Sequence, residues 1–387
     1  MKKIAMSVRY GFQLFYKHFF ANSLLIFEVI VTVLAINFSI STIQGLYIDL
    51  NFIKSANENT LFVMPSGDLT NNEEEYLDYS NIVGEYTVGE QYSVHMETPF
   101  ETNTTFIYNG SLLDNVPIPL SVGSWTSEPI VENGDIYYPV IVSNTQQISF
   151  EERFEVTTDK EKVRCYVAGV LDINQRFINL NSTSSVASTQ QVVRESKNET
   201  LIFLNCDYFS LDCFDYRYTS NNKLLFFDEL NDAQKKHNKE ILRNQGFVFE
   251  LSEIINNSEK EINEKARYYI PLSLGILIVS ITGLLSFSLI SFHKNNPFFN
   301  TAILFGARKK DCIYISFVNY LLITACSLVV IFFVNLLNQQ NAFLSLTNLE
   351  SSKLNIIITA LVYSIVLVLG FVVPICLFKR RGARYKK

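Results

Sequence analysis

Hydrophobic and polar positions divide this 387-residue chain sharply. Four stretches carry almost no charge: Leu24–Ile43, Pro271–Phe292, Ile313–Leu337 and Ile356–Phe378. Each reaches the roughly twenty apolar residues that a helix needs to cross a bilayer. Between the first and second, the pattern changes to short runs rich in Val, Ile, Tyr and Phe, bounded by Gly, Asn, Asp and Ser. Such runs predict strands at Thr60–Met64, Tyr92–Met96, Thr104–Tyr108, Ile136–Val142, Val163–Val170, Leu201–Asn205 and Lys223–Phe227. Ser182–Gln191 is polar throughout and reads as a loop.

Helical spacing appears at three further places. Ile4, Val8, Phe12 and Phe15 recur among Lys2, Lys3, Arg9 and Lys17, predicting an amphipathic helix over 1–20 that lies on the inner membrane surface. Leu230, Ala233, His237 and Ile241 form one helical face, with Gly246 as the stop. Leu251, Ile255, Ile262, Ala266 and Tyr269 form another, on a stalk helix that leads into the second span through Pro271. The fold expected is a membrane α-helical protein with four transmembrane helices and a large α+β extracytoplasmic domain between helices 1 and 2. The divisions fall at 1–20 (amphipathic helix), 21–47 (span one), 48–250 (outer core), 251–270 (stalk), 271–293 (span two) and 294–311 (inner loop). Then follow 312–337 (span three), 338–353 (short outer loop), 354–378 (span four) and 379–387 (basic tail).

Charge sets the orientation. Fourteen Lys and Arg residues precede span one, lie between spans two and three, or follow span four, against the single acid Asp311. The chain as a whole has a net charge of −6, so the remainder is strongly acidic. The positive-inside rule then places both termini and the 294–311 loop in the cytoplasm of a multi-pass cell-membrane protein. The first apolar run is longer than a signal peptide's core and lacks a small-residue cleavage site, so it is read as a retained anchor.

Candidate chemistry is sparse. There is no nucleotide-cradling G-x-x-x-x-G-K-[ST], no G-x-S-x-G elbow and no H-E-x-x-H. Four His residues are too scattered to form a metal cluster, and no cofactor is expected in this chain. Cys206 and Cys213 are close enough in sequence to bridge, which spacing alone does not decide. Glu28 lies about one turn inside span one, either as a functional acid or as a group paired near the interface. Gly275, Ser280 and Gly283 are small residues of span two that allow close helix packing, within the chain or against a partner. Pro374 should kink span four.

The inner loop carries a resemblance. Ala302-Ile303-Leu304, Gly306-Ala307 and Arg308-Lys309-Lys310-Asp311-Cys312-Ile313 resemble, in order, the apolar part, the turn and the basic lead-in of the coupling helix of FtsX-like, or MacB-type, ABC transporter permeases. Asn300-Thr301 departs from that pattern, which often has an acidic residue there. In the outer region, Leu120-Ser121-Val122-Gly123-Ser124-Trp125, Tyr138-Pro139-Val140-Ile141-Val142-Ser143, Phe154-Glu155-Val156 and Tyr166-Val167-Ala168-Gly169-Val170-Leu171 are similar to the ordered motifs of the MacB-like extracytoplasmic core.

The resemblance implies a permease subunit without enzymatic activity of its own. ATP and Mg would be bound by separate cytoplasmic ABC ATPase subunits, docked through Ile303, Leu304, Phe305, Gly306, Ala307 and Arg308. A second permease chain, identical or related, and membrane lipid are the other partners implied; nucleic acid is not expected. The function implied is export of, or resistance to, a peptide or amphiphilic compound. Alternatives are a non-transporting mechanotransmitter that regulates a cell-wall hydrolase, and a membrane-anchored binding or sensor protein without an ATPase.

Overall fold

A computed structural model describes residues 2–65, 77–94, 97, 104–116, 118–125, 128–142, 148–158, 161–171, 175–180, 188–195, 201–205, 217–219, 222–340 and 353–384. Cys206, Cys213 and most of the 338–353 and 182–191 segments lie outside these residues. The chain divides into two compact units: 1–45 together with 263–387, and 46–262. Four helices are long and apolar enough to cross a membrane, and a strand-rich region lies between the first and second of them.

The helical unit contains α1 (Lys2–Lys17), α7 (Lys309–Gln340), α8 (Lys353–Arg384), and the matching parts of α2 (Phe19–Ile53) and α6 (Leu251–Leu304). α2 buries Leu25, Val29, Val33 and Ile36 against Leu284 of α6, Tyr320 and Ile323 of α7, and Val362 and Val366 of α8. Steps of three and four residues keep one stripe inward. The outward positions are also apolar: Leu272, Ile278, Val279, Phe332, Phe333, Ile356 and Ile357 are exposed. A helix that is apolar on both sides has no stable place in water, which accounts for the composition of these four segments.

Polar side chains inside the bundle pair across helices. Asn37 Nδ2 donates to Thr359 Oγ1 at 3.0 Å, and Asn355 Nδ2 to Ser41 Oγ at 2.6 Å. Such bonds contribute about 0.6–2 kcal/mol each where lipid offers no alternative partner. Gly370 of α8 lies so close to the Tyr320 ring that a Cβ would collide with it, and the Tyr320 hydroxyl is hydrogen-bonded to Ser288 of α6. One tyrosine thus ties α6, α7 and α8 together.

α1 is the helix expected near the start of the chain; its Val8 and Phe12 face outward, while Gly11 and Leu14 are buried. Gly11 faces Val318 of α7 with no room for a Cβ. The missing side chain sets the contact face, because it lets the two backbones approach.

Among the described residues, the strand-rich unit has two sheets and a ribbon. Its elements are β1 (Thr60–Pro65), β2 (Tyr86–Gly89), β3 (Gln91–Val94), β4 (Thr104–Tyr108), α3 (Gly110–Asn115), β5 (Val122–Gly123), β6 (Ile130–Glu132), β7 (Asp135–Val142) and β8 (Arg153–Thr157). They continue with β9 (Lys162–Val170), β10 (Arg176–Ile178), α4 (Thr189–Val192), β11 (Val193–Glu195), β12 (Leu201–Asn205), β13 (Arg217–Thr219), β14 (Lys223–Phe227), α5 (Asp232–Arg243) and β15 (Gly246–Glu250). An antiparallel sheet runs β15-β1-β14-β2. The larger sheet runs β13-β3-β4-β12-β7-β9-β5, with β6 on β7 and β8 on β9; β4–β12 and β7–β9 are parallel pairs. β10 and β11 form the ribbon.

β9 shows why the middle of the large sheet reads as a continuous apolar run. Val163, Cys165 and Val167 enter a core with Val140, Val142 and Val156, while Tyr166 and Ala168 enter a second core with Phe106, Tyr108 and Ile141. Both faces are covered, so strict alternation disappears. The outer-region motifs meet here: β5 and β8 pair with β9, which pairs with β7. Gly123 sits at φ 96° against the Gly169 backbone, where a side chain would not fit.

α5 begins with a capping box between Asn231 and Gln234. Its packed face is not the Ala233–His237 stripe expected from sequence, since both are exposed; it is Asn238, Lys239 and Leu242. Asn238 accepts from Val83 N–H and donates to Val83 C=O, and Lys239 pairs with Glu250 and Glu253. Gly246, expected only as a helix stop, starts β15 opposite Pro65, with the Met64 carbonyl where its Cβ would be.

Within this unit the end of α2 and the start of α6 are neighbours. Leu46 and Leu50 pack with Ile262, and Lys54 pairs with Glu259 at 2.9 Å. The stalk expected over 251–270 is therefore half of a helix pair. α6 passes through Pro271 and Pro297 without ending, and continues to Leu304. The inner loop expected over 294–311 is consequently not a separate helix, because its first eleven residues are the last turns of α6.

Candidate functional site

The α6–α7 junction is built on an aromatic cluster. Phe292 and Phe299 of α6 meet Phe378 of α8, with ring centroids 4.9 Å apart for Phe292–Phe378 and 5.8 Å for Phe292–Phe299. Cys312 and Ile315 of α7 complete the buried group, and Ile303, Ile313 and Leu377 pack against it. Tyr10 of α1 reaches Phe298, centroids 5.7 Å apart. Apolar residues at 292, 299 and 303 lie on one face of α6, so burial there fixes the rotation of its last turn.

α6 stops on a Schellman motif. Ala307 N–H donates to Ala302 C=O at 2.9 Å and Gly306 N–H to Ile303 C=O at 3.0 Å. Gly306 adopts φ 94°, the left-handed conformation that the motif requires after the last helical residue. α7 is capped at once: Arg308 N–H donates to Asp311 Oδ2 at 2.8 Å, and Asp311 N–H returns to Arg308 C=O at 2.8 Å. An acid in the first turn also suits the helix dipole.

This geometry sorts the expected docking residues. Ile303 points into the cluster, unlike the outward placement expected from the apolar run. Leu304 and Phe305 project outward, 86% and 88% exposed. Gly306 makes the turn, Ala307 is half-buried, and Arg308, Lys309 and Lys310 are exposed beside it. The turn therefore presents two large apolar side chains and three cations. Sequence reasoning missed the Schellman and capping bonds, though the Gly306 and Asp311 signals for them are plain in the chain.

The span-two residues separate likewise. Gly283 packs beneath the Glu28 carboxylate of α2, where a Cβ would collide with it. Ser280 is buried, while Gly275 has open space around it. Glu28 thus lies against a neighbouring helix. In the strand-rich unit, burial pushes the Cys165 thiol up to about 12, which leaves it protonated and unreactive at neutral pH.

No family model matches the chain, and no curated protein matches it. Among solved structures, it is similar to the crystal structure of the periplasmic region of MacB from Actinobacillus actinomycetemcomitans, at 10% identity. That match covers 54% of this chain and 95% of the other, with a TM-score of 0.32.

Proposed function

We propose that the chain is the permease subunit of an ABC transporter of the FtsX-like, MacB-type class. It would lie in the cell membrane with both termini in the cytoplasm, beside a second permease chain. Separate ATPase subunits would bind ATP and Mg and dock on the α6–α7 turn. Their movement would pass along α6, and along the paired end of α2, to an extracytoplasmic strand-rich domain. The work done is export of, or resistance to, a peptide or amphiphilic compound.

The observation that carries the reading is the outward pair Leu304–Phe305, held on a doubly capped turn and flanked by Arg308, Lys309 and Lys310. Contiguous exposed apolar surface rimmed by polar residues marks protein or membrane interaction sites. The position of the pair between two apolar helices, in a segment resembling the family's coupling motif, favours an ATPase as partner. Purification from native membranes in mild detergent, with mass spectrometry of what remains bound, tests this. An ABC ATPase should be present in stoichiometric amount; its consistent absence would overturn the proposal.

A further inference from the structure

The end of the helical bundle nearest the α6–α7 turn contains a partly open cavity of about 10 Å³. Leu14, Phe292, Phe299 and Pro374 form its apolar walls, and Ser288, Ser291, Asn295, Ser316, Asn319 and Tyr320 its polar ones. Some of the polar groups are satisfied. His18 Nε2 bonds Asn295 Oδ1 at 2.9 Å, Asn295 Nδ2 donates to Ser291 Oγ at 3.3 Å, and Ser288 pairs with Tyr320.

Others are not. Asn22, 1% exposed, donates from Nδ2 to Phe15 C=O at 2.9 Å and, at a long 3.4 Å, to Asn319 Oδ1. Its own Oδ1 meets no donor among the described residues. Asn319, 3% exposed, makes only that long contact among the described residues, so its NH₂ group is unspent, and the buried Ser316 hydroxyl meets no partner there. Pro374 adds to the deficit, because it offers no N–H to the Gly370 carbonyl one turn earlier.

We infer that this cavity is a binding site for a structural water, held by Asn319 and Ser316. The volume matches a single water, which needs about 10–15 Å³ and two to four polar partners. Other ligand classes fit less well. No Asp, Glu, Lys or Arg lines the cavity, so neither a cation nor an anion would be neutralised. An acyl chain is far too large and would leave every one of those polar groups unmet. Water alone supplies both the donors and the acceptors. Asn319 and Ser316 of α7 are thus satisfied by solvent, where the pairs Asn37–Thr359 and Asn355–Ser41 are joined directly.

X-ray radiolytic labelling of the full chain in detergent, read by mass spectrometry, tests the site, because hydroxyl radicals form from bound water and modify the aromatic rings beside it. Phe299 and Phe292 should be modified several-fold faster than Phe106 and Phe62, equally buried rings of the strand-rich cores. Asn319→Leu should bring Phe299 down to the Phe106 rate. Equal rates at Phe299 and Phe106 in the parent would overturn the inference whatever the variant does. So would unaltered Phe299 labelling in a folded Asn319→Leu protein.

Discussion

Asp49 of α2 and Arg176 of β10, 127 residues apart, form an ion pair with Nε–Oδ1 at 2.6 Å, their side chains 18% and 5% exposed. The pair fixes the last turns of α2 to the β10–β11 ribbon, beside the point where Thr189 N–H donates to Ser258 Oγ of α6 at 2.9 Å. Removing one member of a buried pair leaves an uncompensated charge and costs about 3–5 kcal/mol, whereas replacing both with apolar groups is often close to neutral. Asp49→Ala should therefore lower the stability of the strand-rich unit by about 3 kcal/mol in urea unfolding of the full chain. Asp49→Leu combined with Arg176→Met should recover most of that loss. Equal stability of Asp49→Ala and parent would show that the pair holds nothing.

Glu28 and Gly283 give a second prediction. A side chain at Gly283 collides with the Glu28 carboxylate, whereas one at Gly275 meets nothing within 4 Å. Overpacking costs about 1–3 kcal/mol. Gly283→Val should lower the thermal midpoint of the detergent-solubilised chain, and Gly275→Val should leave it unchanged. Measured side by side, equal midpoints would contradict the close α2–α6 contact.

Much of the architecture was legible before any coordinates. β4, β12 and β14 fall where the Val-, Ile- and Phe-rich runs predict them, and the four apolar helices follow from length and charge alone. Less legible was which side of a helix packs. In α5 the buried face carries Asn238 and Lys239, which polarity rules assign to solvent, because the Val83 backbone and the Glu250 and Glu253 carboxylates satisfy them. In α1 the contact with Val318 of α7 is made by Gly11, which a hydrophobic pattern does not register. At the α6–α7 turn, the apolar run Ile303-Leu304-Phe305 was plain, but not that Ile303 faces inward, since that depends on Phe299 meeting Phe378 from a distant helix.

Acid should weaken the strand-rich unit. Burial alone would raise the Glu90 carboxyl, but hydrogen bonds from Lys223 and Tyr92 outweigh it and hold the group below the ordinary value. Glu253 is likewise held down, against burial, by Lys239 and the Glu250 N–H. Carboxyls lowered in the folded state contribute stability that is present above their unfolded value of about 4.3. That contribution is lost as pH falls through the lower folded values. Urea midpoints should be flat from neutral pH to about 5 and decline below about 4.3. Lys223→Met should flatten part of that decline; an unchanged profile in this variant would contradict the assignment to Glu90.

The central claim rests on Leu304 and Phe305 as the docking pair. Burying each such side chain is worth about 1.5–3 kcal/mol, and about 1.4 kcal/mol is a tenfold change in affinity. Leu304→Ala with Phe305→Ala should therefore weaken ATPase binding at least about tenfold, with the chain's thermal midpoint unaltered because both side chains lie outside its core. Arg308→Ala alone should do less, since an exposed charge is screened and contributes about 0–1 kcal/mol. The direct measurement is quantitative capture of the co-purifying ATPase by solubilised parent and double variant. The account predicts retention by the parent and loss by the variant; equal retention by both would contradict it.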